Sequence, residues 1–172
     1  NRGARVSPLD FNEIPELLEG LELCLRLTAR WAAVRRTPED IERMRRHAVA
    51  WKSAAEAGDV DATTEENNGI HLTIAEAAHN KHLFALYRSV VPGFLRLTHT
   101  LVNASPMDDE SIHSYVSKVD TEHHAIIDAI DAGDEEAADQ LSLDHANLVR
   151  QRVSQYFDRR ISIEADVPRP NK

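Results

Sequence analysis

The chain is poor in cysteine, glycine, proline and aromatic residues. One of its 172 residues is cysteine, Cys24, which excludes an internal disulfide and any zinc site built from several cysteines. Six glycines and seven prolines are too few for a protein of many short strands and turns. No apolar run approaches the roughly 20 residues of a membrane span, and no signal-peptide core is present. We therefore expect a cytoplasmic, largely helical protein that makes no membrane contact.

The chain also has fewer basic than acidic residues. The chain has 20 Lys and Arg residues against 29 Asp and Glu residues, a net charge of −9. A surface that neutralises phosphates needs the opposite sign, so we expect no direct contact between this chain and DNA. The apolar fraction of 42% is sufficient for one compact domain with its own core.

Apolar residues recur at helical spacing in six segments that are separated by short breaks. Thr37-Pro38 followed by two acidic residues is typical of a helix start. Pro92 lies inside the fourth segment and predicts a bend there. The fold class is therefore all-α, an antiparallel bundle of about six helices. The predicted helices cover about residues 13–36, 38–57, 61–80, 81–102, a segment after 109, and 135–161.

Three of the nine histidines lie on apolar helix faces. His123 and His145 occupy inward positions of the fifth and sixth helices, and His71 shares a face of the third with Asn67, four residues earlier. Histidines on three helices can meet at one depth of a bundle. Three imidazoles and one oxygen suit zinc, nickel, copper or iron(II). The alternative is that each ring is a core histidine bonded to a neighbour or to water.

These histidines lie in three sequence stretches: NNGIHLTIAEAAHN (67–80), EHHAIIDAIDAGD (122–134) and ADQLSLDH (138–145). Together they resemble the FadR C-terminal (FCD) domain of GntR-family bacterial transcription regulators. The resemblance covers about residues 10–160 and implies a helical bundle with a central cavity that binds a small organic or sugar acid. It also implies a metal site at Asn67, His71, His123 and His145, with zinc or nickel the first expectation and iron an option.

The resemblance also divides the chain. Residues 1–9 resemble the wing and linker that close a winged helix-turn-helix domain, which implies that the DNA-reading domain is absent. Residues 10–163 form the FCD-type effector-binding and dimerisation domain, and residues 164–172 are expected to be a disordered tail. The implied function is non-enzymatic: a small effector binds, the protein is a homodimer, and operator DNA is contacted through the missing N-terminal domain alone.

Two departures from the family pattern bear on ligand binding. The family usually has Asp where this chain has Asn67, so the site loses one negative charge and should hold a divalent ion less tightly. Leu21 and Leu25 occupy places where the family commonly has Arg and Glu. Another arginine would then have to hold an effector carboxylate, a role that suits the bidentate guanidinium group. The candidates are Arg96, which we prefer, and Arg26, Arg30 and Arg88.

Two further patterns keep an enzymatic alternative open. Glu76-x-x-His79 and Glu110-x-x-His113 have the spacing of ligand pairs in ferritin-like di-iron proteins, although both lie near helix ends or loops. A mononuclear histidine-metal hydrolase is the other alternative, but no acid stands at a fixed spacing to serve as its general base. Trp31 and Trp51 are expected to be core or dimer-interface aromatics.

Overall fold

A computed structural model describes residues 11–104 and 109–165, and this part contains six α-helices and no β-strand. The all-α class and the six helices predicted from the sequence are confirmed. After a short 3-10 helix, Phe11–Glu13, the helices are α1 (Ile14–Arg35), α2 (Pro38–Glu56), α3 (Val60–Ala77), α4 (Lys81–Ala104), α5 (Asp109–Ala132) and α6 (Glu135–Ala165).

The expected domain limits are only partly covered by the described residues. Helix α6 runs to Ala165, two residues beyond the expected domain end at 163. Residues 1–9, expected to be a wing remnant, and the tail from 166 onward lie outside the described part of the chain. Within that part, no helix is both long and apolar enough to cross a membrane.

The start of α2 is fixed by a reciprocal capping box. The backbone N–H of Asp40 donates to Thr37 Oγ1 at 3.2 Å, and the backbone N–H of Thr37 donates to Asp40 Oδ2 at 3.0 Å. Capping of this kind stabilises a helix by about 1 kcal/mol. Pro38 occupies the first turn, where its missing N–H costs nothing. The helix start that the sequence predicts is confirmed.

The other helix ends are set by residues with positive φ and by a capping asparagine. Gly58 and Gly133 end α2 and α5 with φ angles of 71° and 75°, a left-handed conformation that favours glycine. His79, between α3 and α4, has a φ of 45° without being glycine, and its Nε2 lies 2.9 Å from Asp40 Oδ2. Asn80 then caps α4, because its side-chain oxygen accepts from the N–H of His82 at 3.0 Å. The turn between α3 and α4 is thereby tied to the start of α2.

The core has two parts. One is built mainly by α2, α3 and α5 around Trp51, and the other mainly by α1, α4 and α6 around Tyr87. On α3, Ile70 belongs to the first cluster and Ala75 to the second. On α6, Leu148 belongs to the first cluster and Ala146 to the second. The inward histidines of α3 and α6 therefore lie where the two clusters meet.

Helices α1 and α4 run antiparallel and in close contact. A Cβ on Gly93 would lie 2.8 Å from Leu17 Cδ1, and a Cβ on Gly20 would lie 3.7 Å from Val90 Cγ2. A larger residue than glycine at 93 would therefore require the Leu17 side chain to move. Helix α4 continues through Pro92, and the bend expected there stays a prediction.

Candidate metal centre

Three buried histidine side chains from three helices meet inside the bundle. His71 of α3, His123 of α5 and His145 of α6 are 5%, 1% and 4% exposed. Their ring centroids lie 4.9 to 5.3 Å apart, and one potential donor atom from each ring falls within 4.8 Å of the others. The convergence expected from helical spacing is therefore present. We refer to these residues as the histidine triad.

His123 is the most unusual member of the triad. Neither Nδ1 nor Nε2 has a hydrogen-bond partner, although both atoms are buried. An edge of Trp51 packs against the ring at a centroid distance of 5.1 Å. Buried polar atoms are normally paired, and an unpaired one costs about 1 to 3 kcal/mol. The core-histidine alternative, in which each ring bonds to a neighbour or to water, therefore finds no protein partner at His123.

Burial also keeps the rings of His71 and His123 uncharged. It lowers the pKa of His71 to about 3, with a smaller contribution from the nearby His145 ring. The same cause, followed by the charges of His145 and His71, lowers the pKa of His123 well below 6.5. A neutral imidazole keeps a lone pair on one nitrogen, which is the form that binds a metal ion. His71 and His123 are thus suited to zinc, nickel or iron(II) at neutral pH without first losing protons.

His145 is oriented by a carboxylate. Glu122 Oε2 lies 2.9 Å from His145 Nδ1, and this carboxylate side chain is 18% exposed. Because the carboxylate accepts, Nδ1 carries the proton and Nε2 keeps its lone pair. Metal-binding histidines usually have such a partner, which fixes the ring and increases its basicity. Glu122 was not among the residues predicted from sequence, although it stands directly before His123.

Asn67 lies one turn before His71 on α3 and is half-buried. Four residues correspond to about 6 Å along a helix, so both side chains start from the same face. Its role as a fourth ligand stays a prediction.

The four arginines proposed for effector binding lie in partly or fully exposed positions. Arg26 Nε contacts Asp139 Oδ1 at 2.6 Å, and Arg30 Nη2 contacts Glu135 Oε2 at 3.0 Å, so both connect α1 to α6. Arg88 and Arg96 are exposed on α4. Contact between any of the four and an effector stays a prediction.

A third ion pair also joins α1 to α6, between Arg150 and Glu22 at 2.8 Å. With Arg26–Asp139 and Arg30–Glu135 it forms a set that we call the α1–α6 ladder.

The di-iron spacing does not produce a metal site among the described residues. Glu76 pairs with Arg43, whereas His79 pairs with Asp40. The side chain of Glu110 lies outside the described part of the chain, and His113 is exposed on α5. In that part of the chain, the histidine triad is the group of three or more ligand-type side chains close enough to share an ion.

Comparison with known proteins agrees with this arrangement. The model of the FCD domain family matches residues 13–148, which include all three triad histidines. The chain belongs to the FCD domain family. The resemblance seen in the sequence is thereby confirmed.

Two curated FCD relatives carry the description "putative L-lactate dehydrogenase operon regulatory protein", one from Escherichia coli K12 and one from Shigella flexneri. Each is 30% identical over 141 residues, which is 82% of this chain and 52% of the relative. The chain thus spans about half the length of the curated relatives it matches. The solved structure of E. coli McbR/YncC is similar in fold, with a TM-score of 0.73, 16% identity and coverage of 90% of this chain and 72% of the other.

Proposed function

We propose that this chain is the ligand-sensing and dimerisation part of a transcription regulator, with a divalent metal ion held by His71, His123 and His145. The observation that carries the proposal is the buried His123 ring, whose nitrogens lack partners beside two further imidazoles. Membership of the FCD family and the likeness to a named operon regulator support a regulatory role rather than a catalytic one. We infer a homodimer that contacts operator DNA through an N-terminal domain outside this chain, in the cytoplasm.

Asn67 is the proposed fourth ligand, through its carboxamide oxygen. Because this oxygen is neutral, three imidazoles and one amide leave the full charge of a divalent ion uncompensated within the first coordination shell. Glu122 supplies one negative charge nearby through its bond to His145. The site should therefore attract an additional anionic ligand.

That additional ligand is proposed to be a small organic or sugar acid. The bound metal ion would supply Lewis-acid attraction for oxygen ligands in the positions that protein atoms leave open. A carboxylate with a neighbouring hydroxyl group supplies two such oxygens, and small hydroxy acids such as lactate have this donor pair. The name of the E. coli relative, which refers to an L-lactate dehydrogenase operon, agrees with this class.

Arginine contacts with the acid remain part of the proposal, with Arg96 preferred over Arg88. Arg26 or Arg30 would first have to leave its ion pair with α6. No bond is made or broken in the proposed cycle. Binding selects one arrangement of the helices, and the differential affinity for that arrangement sets the size of the response.

The first test is metal content in protein purified without a nickel column. We expect about one equivalent of metal per chain after incubation with zinc. His123→Ala should abolish binding, whereas His124→Ala should retain it, because His124 is 40% exposed and faces Asp120. The two variants remove the same group from adjacent positions. No metal in the parent protein, or equal metal content in both variants, would contradict the proposed site.

The effector proposal has a separate test. Zinc-loaded protein is titrated with a panel of hydroxy acids and sugar acids while thermal stability is followed. A binding acid present at 100 times its Kd should stabilise the fold by about 2.7 kcal/mol. The shift should require the metal and be absent in His123→Ala. If no acid changes the stability of the loaded protein, the metal would have a structural role instead.

A further inference from the structure

An arginine and a tyrosine lie two helical turns away from the histidine triad. The guanidinium carbon of Arg152, on α6, is 4.5 Å from the centre of the Tyr115 ring on α5. Both side chains are half-buried. Arg152 stands seven residues after His145, and Tyr115 stands seven residues before Glu122. Neither residue was predicted from the sequence as an effector contact.

Two contacts between α5 and α6 align Arg152 with the triad. Glu122 meets His145, and Tyr115 meets Arg152, so the two helices run antiparallel in a constant register. Seven residues are nearly two full turns, so Arg152 leaves the same face of α6 as His145, about 10.5 Å further along the axis. A helical side chain leans towards the N-terminal end of its helix. The guanidinium group therefore lies closer to the triad than its own Cα does.

Helices α3 and α5 run in the same direction, because both pair antiparallel with α2. The contacts that show this are Arg43–Glu76 and His47–Glu66 with α3, and Arg45–Asp128 and Lys52–Asp120 with α5. Residues that precede His71 and His123 therefore lie towards one end of the bundle. Asn67, the proposed fourth ligand, is on the same side of the triad along the bundle as Tyr115 and Arg152.

The path from the triad to Arg152 is polar at both ends and apolar in the middle. Val119 and Leu148 occupy the intermediate positions on α5 and α6, and both are buried in the first core cluster. Burial raises the pKa of Tyr115, and the charges of Arg152 and Glu122 act on this pKa in opposite directions. The tyrosine thus lies between a cation and the carboxylate that orients the triad. This pattern matches an acid with a carboxylate at each end of a short hydrocarbon link.

We propose that Arg152, stacked on Tyr115, binds a second carboxylate of an effector whose first carboxylate is held at the triad. The inference rests on the metal-bound hydroxy acid of the proposed function and narrows its class to hydroxy acids with two carboxylates. The first carboxylate and its neighbouring hydroxyl group would occupy the metal ion. An acid with one carboxylate therefore has no acidic group left for Arg152.

The stacked arrangement suits this role. A guanidinium group binds a carboxylate through two parallel hydrogen bonds, and it also stacks on aromatic rings. The Tyr115 ring limits the rotation of the Arg152 side chain, which lowers the entropy lost when an acid binds. Tyr115 is therefore a positioning residue for Arg152, and Arg152 is the residue that contacts the acid.

The first experiment compares malate with lactate, because malate is lactate with a second carboxylate on its methyl carbon. Calorimetric titration of the zinc-loaded protein should give malate a Kd about 10- to 100-fold lower than that of lactate, as expected for one additional charge-assisted contact. The comparison uses the parent chain alone and does not depend on the folding of a variant.

The second experiment repeats both titrations with Arg152→Gln. The affinity for malate should fall about 10- to 100-fold, while the affinity for lactate should stay unchanged. Arg150→Gln is the matched control on the same helix, since Arg150 is 45% exposed and pairs with Glu22 of α1. It should leave both affinities unchanged. Circular dichroism and zinc content verify that each variant is folded and loaded.

Substitutions of Tyr115 test the positioning role. Tyr115→Leu removes the aromatic ring and should lower the affinity for malate about 2- to 5-fold, the size of a partly exposed cation–π contact. Tyr115→Phe keeps the ring under the guanidinium group and should retain the affinity of the parent. Equal losses in the two variants would overturn the positioning role of the ring.

The outcomes separate this inference from the proposed function. Lactate binding with a malate affinity that is no higher would overturn the second carboxylate contact and leave the effector proposal intact. Equal losses for both acids in Arg152→Gln would also overturn it, because a purely structural role affects both acids alike. If neither acid binds to the zinc-loaded parent, the Arg152 contact and the hydroxy-acid effector fail together. Zinc content measured on the same samples reports on the histidine triad independently.

Discussion

Histidines occupy two contrasting regions of the molecule. In the histidine triad the rings are buried, and His123 has no partner for either nitrogen. On the surface, His47 of α2 contacts Glu66 at 2.7 Å, and His79, between α3 and α4, contacts Asp40 at 2.9 Å; both histidines are more than one third exposed. Each of these surface rings is paired with a carboxylate. The number of histidines therefore does not indicate a metal site, whereas burial without a partner identifies the rings suited to a metal ion.

The largest expected difference between the two regions is that the buried rings make the free energy of unfolding depend on pH. In metal-free protein the depressed pKa of His71, about 3, leaves that ring neutral between about pH 3 and 6.5, while the unfolded chain binds the proton. His123 acts in the same direction. The native state therefore loses stability as pH falls below 6.5, by about 1.4 kcal/mol per pH unit for each ring.

Urea unfolding at pH 7, 6 and 5 measures this loss. His124→Ala should show the same slope as the parent, because it leaves the triad intact. Asp40 does not interfere: burial raises its pKa, but hydrogen bonds from Thr37 and His79 outweigh burial and hold it below its ordinary 3.8. The contribution of Asp40 to the free energy of unfolding is thus lost only at lower pH. Equal stability of the metal-free parent at pH 7 and pH 5 would show that His71 and His123 are not held neutral.

The next effect concerns the two carboxylate–histidine pairs. Glu122→Gln should lower zinc affinity about 10- to 100-fold, because the amide withdraws the charge that makes His145 a stronger donor. Glu66→Gln changes the equivalent pair with His47 and should leave zinc affinity unchanged. Competition with a chromophoric chelator measures both. Parallel losses in the two variants would mean that Glu122 acts through general charge rather than through His145.

The smallest expected effect is the loss of folding stability caused by the unpaired His123 ring. His123→Leu should stabilise the metal-free protein by about 1 to 2 kcal/mol, because a buried polar group without a partner is replaced by an apolar one of similar size. The same change should abolish stabilisation by zinc. Denaturant unfolding with and without metal gives both quantities. Destabilisation of the metal-free protein would indicate that His123 makes an essential packing or polar contact in the absence of metal.

The sequence was sufficient to predict the elements that depend on local spacing. The period of apolar residues placed His71, His123 and His145 on inward faces, and the capping pattern at Thr37 located the start of α2. These features depend on a single helix. The periodicity was also enough to predict six helices, since each has its own apolar stripe.

Contacts between helices could not be predicted in this way. Whether Glu122 reaches His145 depends on how α5 crosses α6, and no spacing within one helix reports that. Arg26 was a candidate effector ligand because its type suits a carboxylate, and the carboxylate it contacts in the structure is Asp139 of α6. The residue type indicated the chemistry, but the partner came from the packing.

The α1–α6 ladder has a mechanical consequence. Helix α6 holds His145, and the ladder fastens it to α1. A displacement of α6 on ligand binding would then carry α1 with it as a rigid unit. The ladder side chains are 20% to 46% exposed, so dissolved salt screens them, whereas the buried triad is shielded from it. Rising ionic strength should thus loosen the connection between α6 and α1 before it affects binding of the metal.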